Sequence, residues 1–460
     1  MRDQQSLVFR CIFPLFVLVI ASACGSQSPQ TFRATVPATL ANAPVYTPTA
    51  TFTATALPPT ATPTATETQT PEPTPPVQTL TPVSPDGAPA ARNVAAPESD
   101  NFGWSCDDFP CEDDIDGFLR RIQVPRGFAL SHVGRFPGQP LQITYGRDGR
   151  LYATVLENGT RSGAVYRLND DGTAERYSGD FVSPLGVAFQ PGSDVLYVSA
   201  RETPEEGGGV WRVLPGGERE PVVTRLPCCF QVIDNQPNGL TFGPDGYLYL
   251  GVGALTDQGE PPPGRQSQFA EIQANEAAVL RIQPHTGEVE VYARGIRNPY
   301  DLTFSSDGQL YATDNGMLNG SGDRLLRVTA GAHYGFPYWR DRGCENCPIA
   351  PPDVDVQPDL LTLRPRSLPR GIVAYTGTQF PENMFDSLFV ALWNNVRDGQ
   401  RVVRIDPARI PTNPDALAAY VPEPFITGLI RPIDVVMAPD GSLVVADYVY
   451  GHVWRVAYEG

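Results

Sequence analysis

From about residue 120 onward, apolar and polar residues alternate in runs of five or six, the period of half-buried strands, and almost nothing shows the 3.6-residue period of a helix. One unit recurs six times. It comprises a proline, a short alternating run, a turn that usually contains Asp-Gly, and a second run of the type Leu-Tyr-Val/Ala-x. A third run ending in Val/Leu-x-Arg-Ile/Val follows later. The copies begin at Pro140 (PLQITYGRDGRLYAT), Pro184 (PLGVAFQPGSDVLYVSA), Pro237 (PNGLTFGPDGYLYLGVG), Pro299 (PYDLTFSSDGQLYATD), Pro369 (PRGIVAYTGTQFPENMFDSLFVAL) and Pro432 (PIDVVMAPDGSLVVAD). Asp-Gly between alternating runs is a strong hairpin signal, because glycine accepts positive φ without a Cβ clash. Repetition every 44 to 70 residues predicts an all-β fold, a six-bladed β-propeller of four-stranded blades over residues 120–460. The run at 127–133 (GFALSHV) has no hairpin partner of its own, and is expected to close the ring by pairing with the last blade, so removing an exposed edge. Polar, Gly/Pro-rich inserts between the second and third strands of blades three and four are where a rigid scaffold would carry a site.

The first hundred residues follow a different pattern. Arg2 and Arg10 precede an apolar run at 11–20 (CIFPLFVLVI), then Ala21, Ser22, Ala23 and Cys24. This reads as a secretory signal at 1–23, with an apolar core short of the roughly 20 residues a membrane span needs. The small residues before Cys24 resemble a bacterial lipobox, with Ala21 where leucine is usual, so the expectation is an exported lipoprotein tethered through Cys24. Membrane contact is then expected only through the lipid. Residues 24–100 are dominated by Pro, Thr and Ala, offer little to bury, and predict an extended stalk; 101–119 form an acidic lead-in.

Charge narrows the candidates. A net charge of −17 excludes nucleic acid as a partner, since phosphate binding needs a Lys/Arg excess. The acidic cluster from Asp107 to Asp116 lacks the Gly-containing spacing of an EF-hand loop and reads as a solvated lead-in. Beyond Cys11 and Cys24, the cysteines fall into close pairs. Export predicts disulfides for Cys106 with Cys111 and Cys344 with Cys347, and leaves the vicinal Cys228 and Cys229 open between disulfide and thiols.

The stretches GLTFGPDGYLYLGVG, GIRNPYDLTFSSDGQLYATDNG, DRLLRVTAGAHYGFPYW, FPENMFDSLFVALW and RPIDVVMAPDGSLVVAD are similar to the PQQ-dependent sugar dehydrogenases, the glucose/sorbosone dehydrogenase family. The likeness covers about residues 121–457, with Gly-x-Arg-Asn-Pro and Tyr-Gly-Phe-Pro as its most specific motifs. It implies oxidation of the anomeric carbon of an aldose, PQQ and Ca²⁺ as cofactors, and an external electron acceptor. On the same resemblance, Arg297 and Asn298 contact the quinone, Arg431 binds a cofactor carboxylate, Arg397 stands in for a cofactor-binding lysine in blade five, and the carbonyls of Gly316 and Met317 hold calcium, with Asp314 and Asp323 nearby. Arg366 and Arg370 add basic groups at blade entries. With Arg297 and Arg431 they are expected to converge on the channel, where three cofactor carboxylates would meet them.

The chain also departs from the family. The general-base histidine at the entry to blade three is replaced by Asp234-Asn235-Gln236-Pro237-Asn238, and its aspartate partner by Ala254. His132, His285, His333 and His452 read as packing or surface residues. Amides cannot take a proton from a sugar hydroxyl at neutral pH, so Asp234 or Asp257 is expected to serve as base. Two other readings stay open: a propeller without redox chemistry that binds carbohydrate or protein at the cell surface, and a calcium-dependent lactonase.

Overall fold

Each Asp-Gly turn closes its hairpin through the chemistry its sequence carries. Gly149, Gly246, Gly308 and Gly441 have φ between 75° and 85°. In blades one and three the turn aspartate accepts from a backbone N–H two residues on, while its other oxygen accepts from the tyrosine of Leu-Tyr: Tyr152 Oη to Asp148 and Tyr249 Oη to Asp245 are both 2.9 Å. The third-strand arginine reaches the same aspartate, Arg281 Nε donating to Asp245 at 2.9 Å. In blade three the Asp, Tyr and Arg of the repeat are therefore one hydrogen-bonded triplet that ties the first hairpin to the third strand, and in blade one Arg167 lies 3.8 Å from Asp148.

The computed structural model describes residues 109–157, 161–205, 207–229, 236–259, 272–318, 322–345 and 347–460. The signal, the stalk, Cys106 and Asp234 lie outside the described residues. The inner strands, Gln139–Tyr145, Val187–Phe189, Pro237–Phe242, Pro299–Phe304, Pro369–Ala374 and Pro432–Met437, contact one another in sequence order, and the last returns to the first. Six blades form a closed ring, as the repeat predicts. Proline suits an inner strand because that strand is the blade's edge and needs no donor there. The expectation of separate four-stranded blades needs one correction. Blades one and two merge into a nine-stranded sheet through Phe181–Val182, which pairs with Ser162 and Gly163 on one side and Arg201 on the other.

Phe128–Arg135 pairs antiparallel with His452–Tyr458 and completes blade six, as expected of the lone N-terminal run. The acidic lead-in takes part in this closure. Asp114 caps a helix at Ile115–Arg121, accepting from Gly117 N at 2.8 Å, and the helix sets buried Phe118 against His452 and Trp454. Glu112 and Asp113 pair with Arg135 of the closing strand. Inside the seam His452 Nε2 lies 2.9 Å from Glu112 O, which can only accept, so Nε2 carries the proton and Nδ1 accepts from His132 Nε2 at 3.1 Å.

The channel axis is filled by the third residue of each copy: Gln142, Gly186, Gly239, Asp301, Gly371 and Asp434. A register shift after the proline in five of the six inner strands aims these side chains inward. Three long polar groups occupy the space three glycines vacate. Gln142 Nε2 donates to Asp301 Oδ1 at 2.5 Å, and its Oε1 accepts from Val187 N and Leu240 N. Asp301 and Asp434 in turn accept from Ile372 N and Ile143 N on other blades. The axis is thus a polar tie across the whole ring.

Two buried systems titrate in opposite senses. Burial pushes His452 down to about 4, with the charge of His132 adding to the effect. Between that value and the ordinary 6.5 the unfolded chain binds more protons, so this term is lost as pH falls. Burial pushes Asp301 up to about 7 and Asp434 well above its ordinary value, the latter helped by the neighbouring carboxylate. That term is fully present below an unfolded value of about 3.9 and is lost as pH rises through the folded one. Relative to wild type, Asp434→Asn should lose melting temperature on acidification from about pH 6.5 to 4, and His452→Gln on raising pH from about 4 to 7. Three superimposable pH profiles from thermal melts would refute the assignment.

Candidate functional site

The connections entering blades four and five meet the strand-two to strand-three loops of blades three to five at one mouth of the channel. Arg297 marks the meeting point. It is 3% exposed; its Nη2 donates to Asp257 Oδ1 at 2.7 Å, its Nε to Asp257 O and its Nη1 to Asn315 O, both at 3.1 Å. Asp257 Oδ1 also accepts from Leu318 N at 3.0 Å. The adjacent Asn298 is set by Asp314, whose Oδ1 accepts its N–H at 2.7 Å, while its side-chain oxygen accepts from Asn238 Nδ2 at 2.7 Å. Asn315, with its amide oxygen facing the donors, accepts from Asn298 Nδ2 at 3.0 Å and Arg370 Nη1 at 3.2 Å, and donates to Pro369 O. One network therefore joins the entries of blades three, four and five.

Arg370 and Arg431 form the second part of the mouth. Both guanidiniums lie over the Trp393 ring, at 5.5 and 5.3 Å, and Arg370 also lies 4.3 Å over Tyr300. Arg431 Nη1 donates to Asn394 Oδ1 at 2.8 Å, and its backbone N–H to Asp447 Oδ1 at 3.0 Å. Burial, reinforced by the like charge of Arg370, lowers Arg431 to about 10. Two buried cations set against one aromatic ring are an electrostatic preparation for an anion. The buried Asn238 Oδ1, at the same mouth, accepts no hydrogen bond among the described residues.

The structure brings together Arg297, Asn298, Asp257, Arg370 and Arg431, and places Arg366 and Arg397 apart from them. Arg366 is exposed on a left-handed turn where its carbonyl accepts from Asn394 Nδ2. Arg397 has a 77% exposed side chain that faces Asp398. The turn at Gly316 and Met317 lies beside Arg297, but its neighbouring carboxylates are committed: Asp323 accepts from Gly316 N, Leu368 N and Ser367 Oγ, and Asp314 pairs with Arg324. Among the described residues no three His, Cys, Asp or Glu side chains cluster to hold a metal. The four histidines take other places. His132 and His452 sit in the closure seam, His285 lies by Gln190 in an exposed turn, and His333 accepts from Gly335 N beneath the Gly295 turn. Ala254 is buried, its N–H donating to Arg297 O.

Arg370 is at the mouth as its place in the repeat predicts, and Trp393 is the member that sequence reasoning missed. Arg370 directly follows the proline of its copy, and Trp393 follows the second strand of the same blade. Of the cysteines, the Cys344–Cys347 pair borders the site. Cys344 and Cys347 are bonded at 2.06 Å and pack with Met317 and Ala254, Cys228 and Cys229 form a vicinal disulfide, and Cys111 is disulfide-bonded.

Residues 230–452, which carry every element of this mouth, match the family model Glucose / Sorbosone dehydrogenase. This stretch is similar to the glucose/sorbosone dehydrogenases. Solved structures similar to it include the PQQ-bound aldose sugar dehydrogenase of Streptomyces coelicolor, at 19% identity and TM-score 0.51, covering 73% of this chain and 99% of that one. The soluble aldose sugar dehydrogenase of Escherichia coli, in its apo-form, is 15% identical with TM-score 0.55, covering 72% and 99%. The PQQ domain of pyranose dehydrogenase from Coprinopsis cinerea is 17% identical with TM-score 0.54, covering 73% and 97%. At these identities the likeness is one of fold. An uncharacterized protein of Borreliella burgdorferi is 28% identical over 206 residues, 40% of this chain; the match spans about half of that relative, 53%. The matched stretch spans blades three to five and the first two strands of blade six, while blades one and two and the two strands that close the ring lie outside it.

Proposed function

We propose that this protein is a quinoprotein sugar oxidoreductase that oxidises the anomeric carbon of an aldose and passes the electrons to an external acceptor. The observation that carries the reading is the pair of buried guanidiniums, Arg370 and Arg431, on Trp393 in a chain of net charge −17. PQQ has three carboxylates, and these residues fit it: Arg370 and Arg431 would pair with its anionic groups, and Trp393 supplies an apolar face. When bound, PQQ supplies a two-electron acceptor for hydride. Arg297 would stabilise negative charge that builds during the reaction, held in place by Asp257 and Asn315. With Asp257 committed to orienting Arg297, Asp234 is the proposed acceptor of the sugar hydroxyl proton. Calcium, in this proposal, is held by the backbone carbonyls of Gly316 and Met317, since the carboxylates there already have partners.

Calorimetry tests the reading. PQQ should bind wild type, and Arg370→Ala or Arg431→Ala should weaken binding by at least about 1.5 kcal/mol, roughly tenfold, the lower range for a charge-assisted hydrogen bond. Wild type that fails to bind PQQ, with calcium present, removes it. The second reading, a propeller that binds carbohydrate or protein without redox chemistry, draws on the four histidines lying elsewhere. Bound PQQ without dye reduction on any aldose would select it.

The protein is further proposed to be exported and tethered by a lipid on Cys24. Labelled fatty acid should be incorporated by wild type and not by Cys24→Ser; equal label in both would remove the anchor.

A further inference from the structure

Blades one and two are bridged by Phe181–Val182, and beside that bridge opens a cleft of about 540 Å³. Its walls carry Arg161, Arg201 and Arg219, the acids Asp180 and Glu202, and Trp211 packed edge-on against Phe181 at 5.9 Å. Of the acids, Asp180 pairs with Arg176, and Glu202 accepts from Arg225 N, which orients its carboxylate and leaves its charge in place. Arg161 and Arg219 are exposed and donate to backbone carbonyls, Pro204 O and Asp180 O, and neither makes an ion pair among the described residues. Arg201 is only 4% exposed, with Nε donating to Gln236 Oε1 at 2.7 Å and Nη1 to Pro204 O at 3.1 Å.

A carbonyl partner fixes a guanidinium in direction but cancels none of its charge. Burial, then the like charge of Arg161, lowers Arg201 to about 10, so the cations feel one another across the cleft. In a protein of net charge −17 such a concentration of positive charge is the exception. Guanidinium forks match planar or tetrahedral oxyanions, and an indole flanked by polar groups is a surface on which the apolar face of a pyranose ring can rest.

We propose that this cleft is a second binding site, for a sugar bearing an oxyanion, a carboxylate as in a uronic acid or a phosphate ester, with Arg161 and Arg219 taking the anion and Trp211 the ring. The assignment is independent of what occupies the channel mouth. It lies on blades one and two, outside the stretch that matches the family model.

The test is binding to the full mature protein by calorimetry, with glucuronate, glucose 6-phosphate, glucose and acetate as probes. Glucuronate or glucose 6-phosphate should bind, and which of them binds identifies the anion. Glucose and acetate should each bind at least tenfold more weakly, because each lacks half of the recognition. Affinity should fall as salt rises from about 50 to 300 mM. The exposed double variant Arg161→Ala, Arg219→Ala should lose at least tenfold with an unchanged melting temperature, and Trp211→Ala should lose affinity likewise. No binding by either charged sugar overturns the proposal. So does binding that survives the double variant but disappears in Arg431→Ala, which would place the anion at the channel mouth. Equal binding of acetate and glucuronate overturns the assignment to a sugar.

Discussion

Replacing Arg324 with methionine is expected to destabilise the propeller by about 3 to 5 kcal/mol, the cost of leaving a buried charge without its partner. Arg324 has no solvent exposure, and neither does its partner Asp314. Its guanidinium donates to Asp314 Oδ2 from Nε at 2.8 Å and again from Nη2, to Tyr334 O at 2.5 Å, to Gly295 O at 3.2 Å, and to Asp359 at 3.2 Å. Its removal leaves the buried Asp314 without its ion pair and takes one of the two ion pairs of Asp359, in a medium that cannot solvate them. The effect reaches the site, because the other oxygen of Asp314 holds the Asn298 N–H. Arg281→Met is the control. Its pairs with Asp245 and Glu290 are solvent-accessible, and such pairs contribute about 1 kcal/mol or less. Urea denaturation of the two variants should separate them by about 2 kcal/mol or more. Equal losses would show that the Arg324 cluster is not the tie described.

The second large effect is expected at the axis. A Cβ on Gly371 would stand 1.9 Å from Asp434 Oδ1 and 2.5 Å from Asp434 Cα. Truncating Asp434 cannot relieve that clash, since its backbone is involved. The inner strands of blades five and six would have to part, and with them the Asp434 bond to Ile143 N that joins blade six to blade one. Gly371→Ala should therefore cost about 3 kcal/mol or more, the upper range for overpacking a dense core. Gly179→Ala, where nothing lies within 4 Å, should stay within about 0.5 kcal/mol of wild type. Chemical denaturation decides the matter: a Gly371→Ala protein as stable as Gly179→Ala would mean that the axis is loosely packed.

The scaffold was legible because its determinants are local. Proline at a blade's inner edge, Asp-Gly at the hairpin and Leu-Tyr in the next strand act within about fifteen residues, and they announced six blades and the lone closing strand. Other features were printed in the same repeats but went unread. The residue two places after each proline spells Gln, Gly, Gly, Asp, Gly, Asp, and the strand-two hydroxyls of Thr154, Ser199 and Thr313 accept from the backbone N–H of that residue in blades one, two and four. Their meaning depends on partners far along the chain, 159 residues away in the bond of Gln142 to Asp301 and 291 in that of Ile143 to Asp434. The site shows the same division. That basic residues gather at blade entries could be seen in the chain, but Arg370 and Arg431 face one indole while Arg366 and Arg397 face solvent. Similar offsets from a proline do not decide this. The register shift and the path of each blade connection do, because they set whether a side chain points along the axis, into the mouth or away from the ring. By itself the sequence determined the repeat and the hairpins, which are short-range hydrogen bonding and period-2 burial, and left one strand without a local partner, whose place is the ring closure. Only the tertiary structure decided which charges meet, since that follows from closing six strands around one axis.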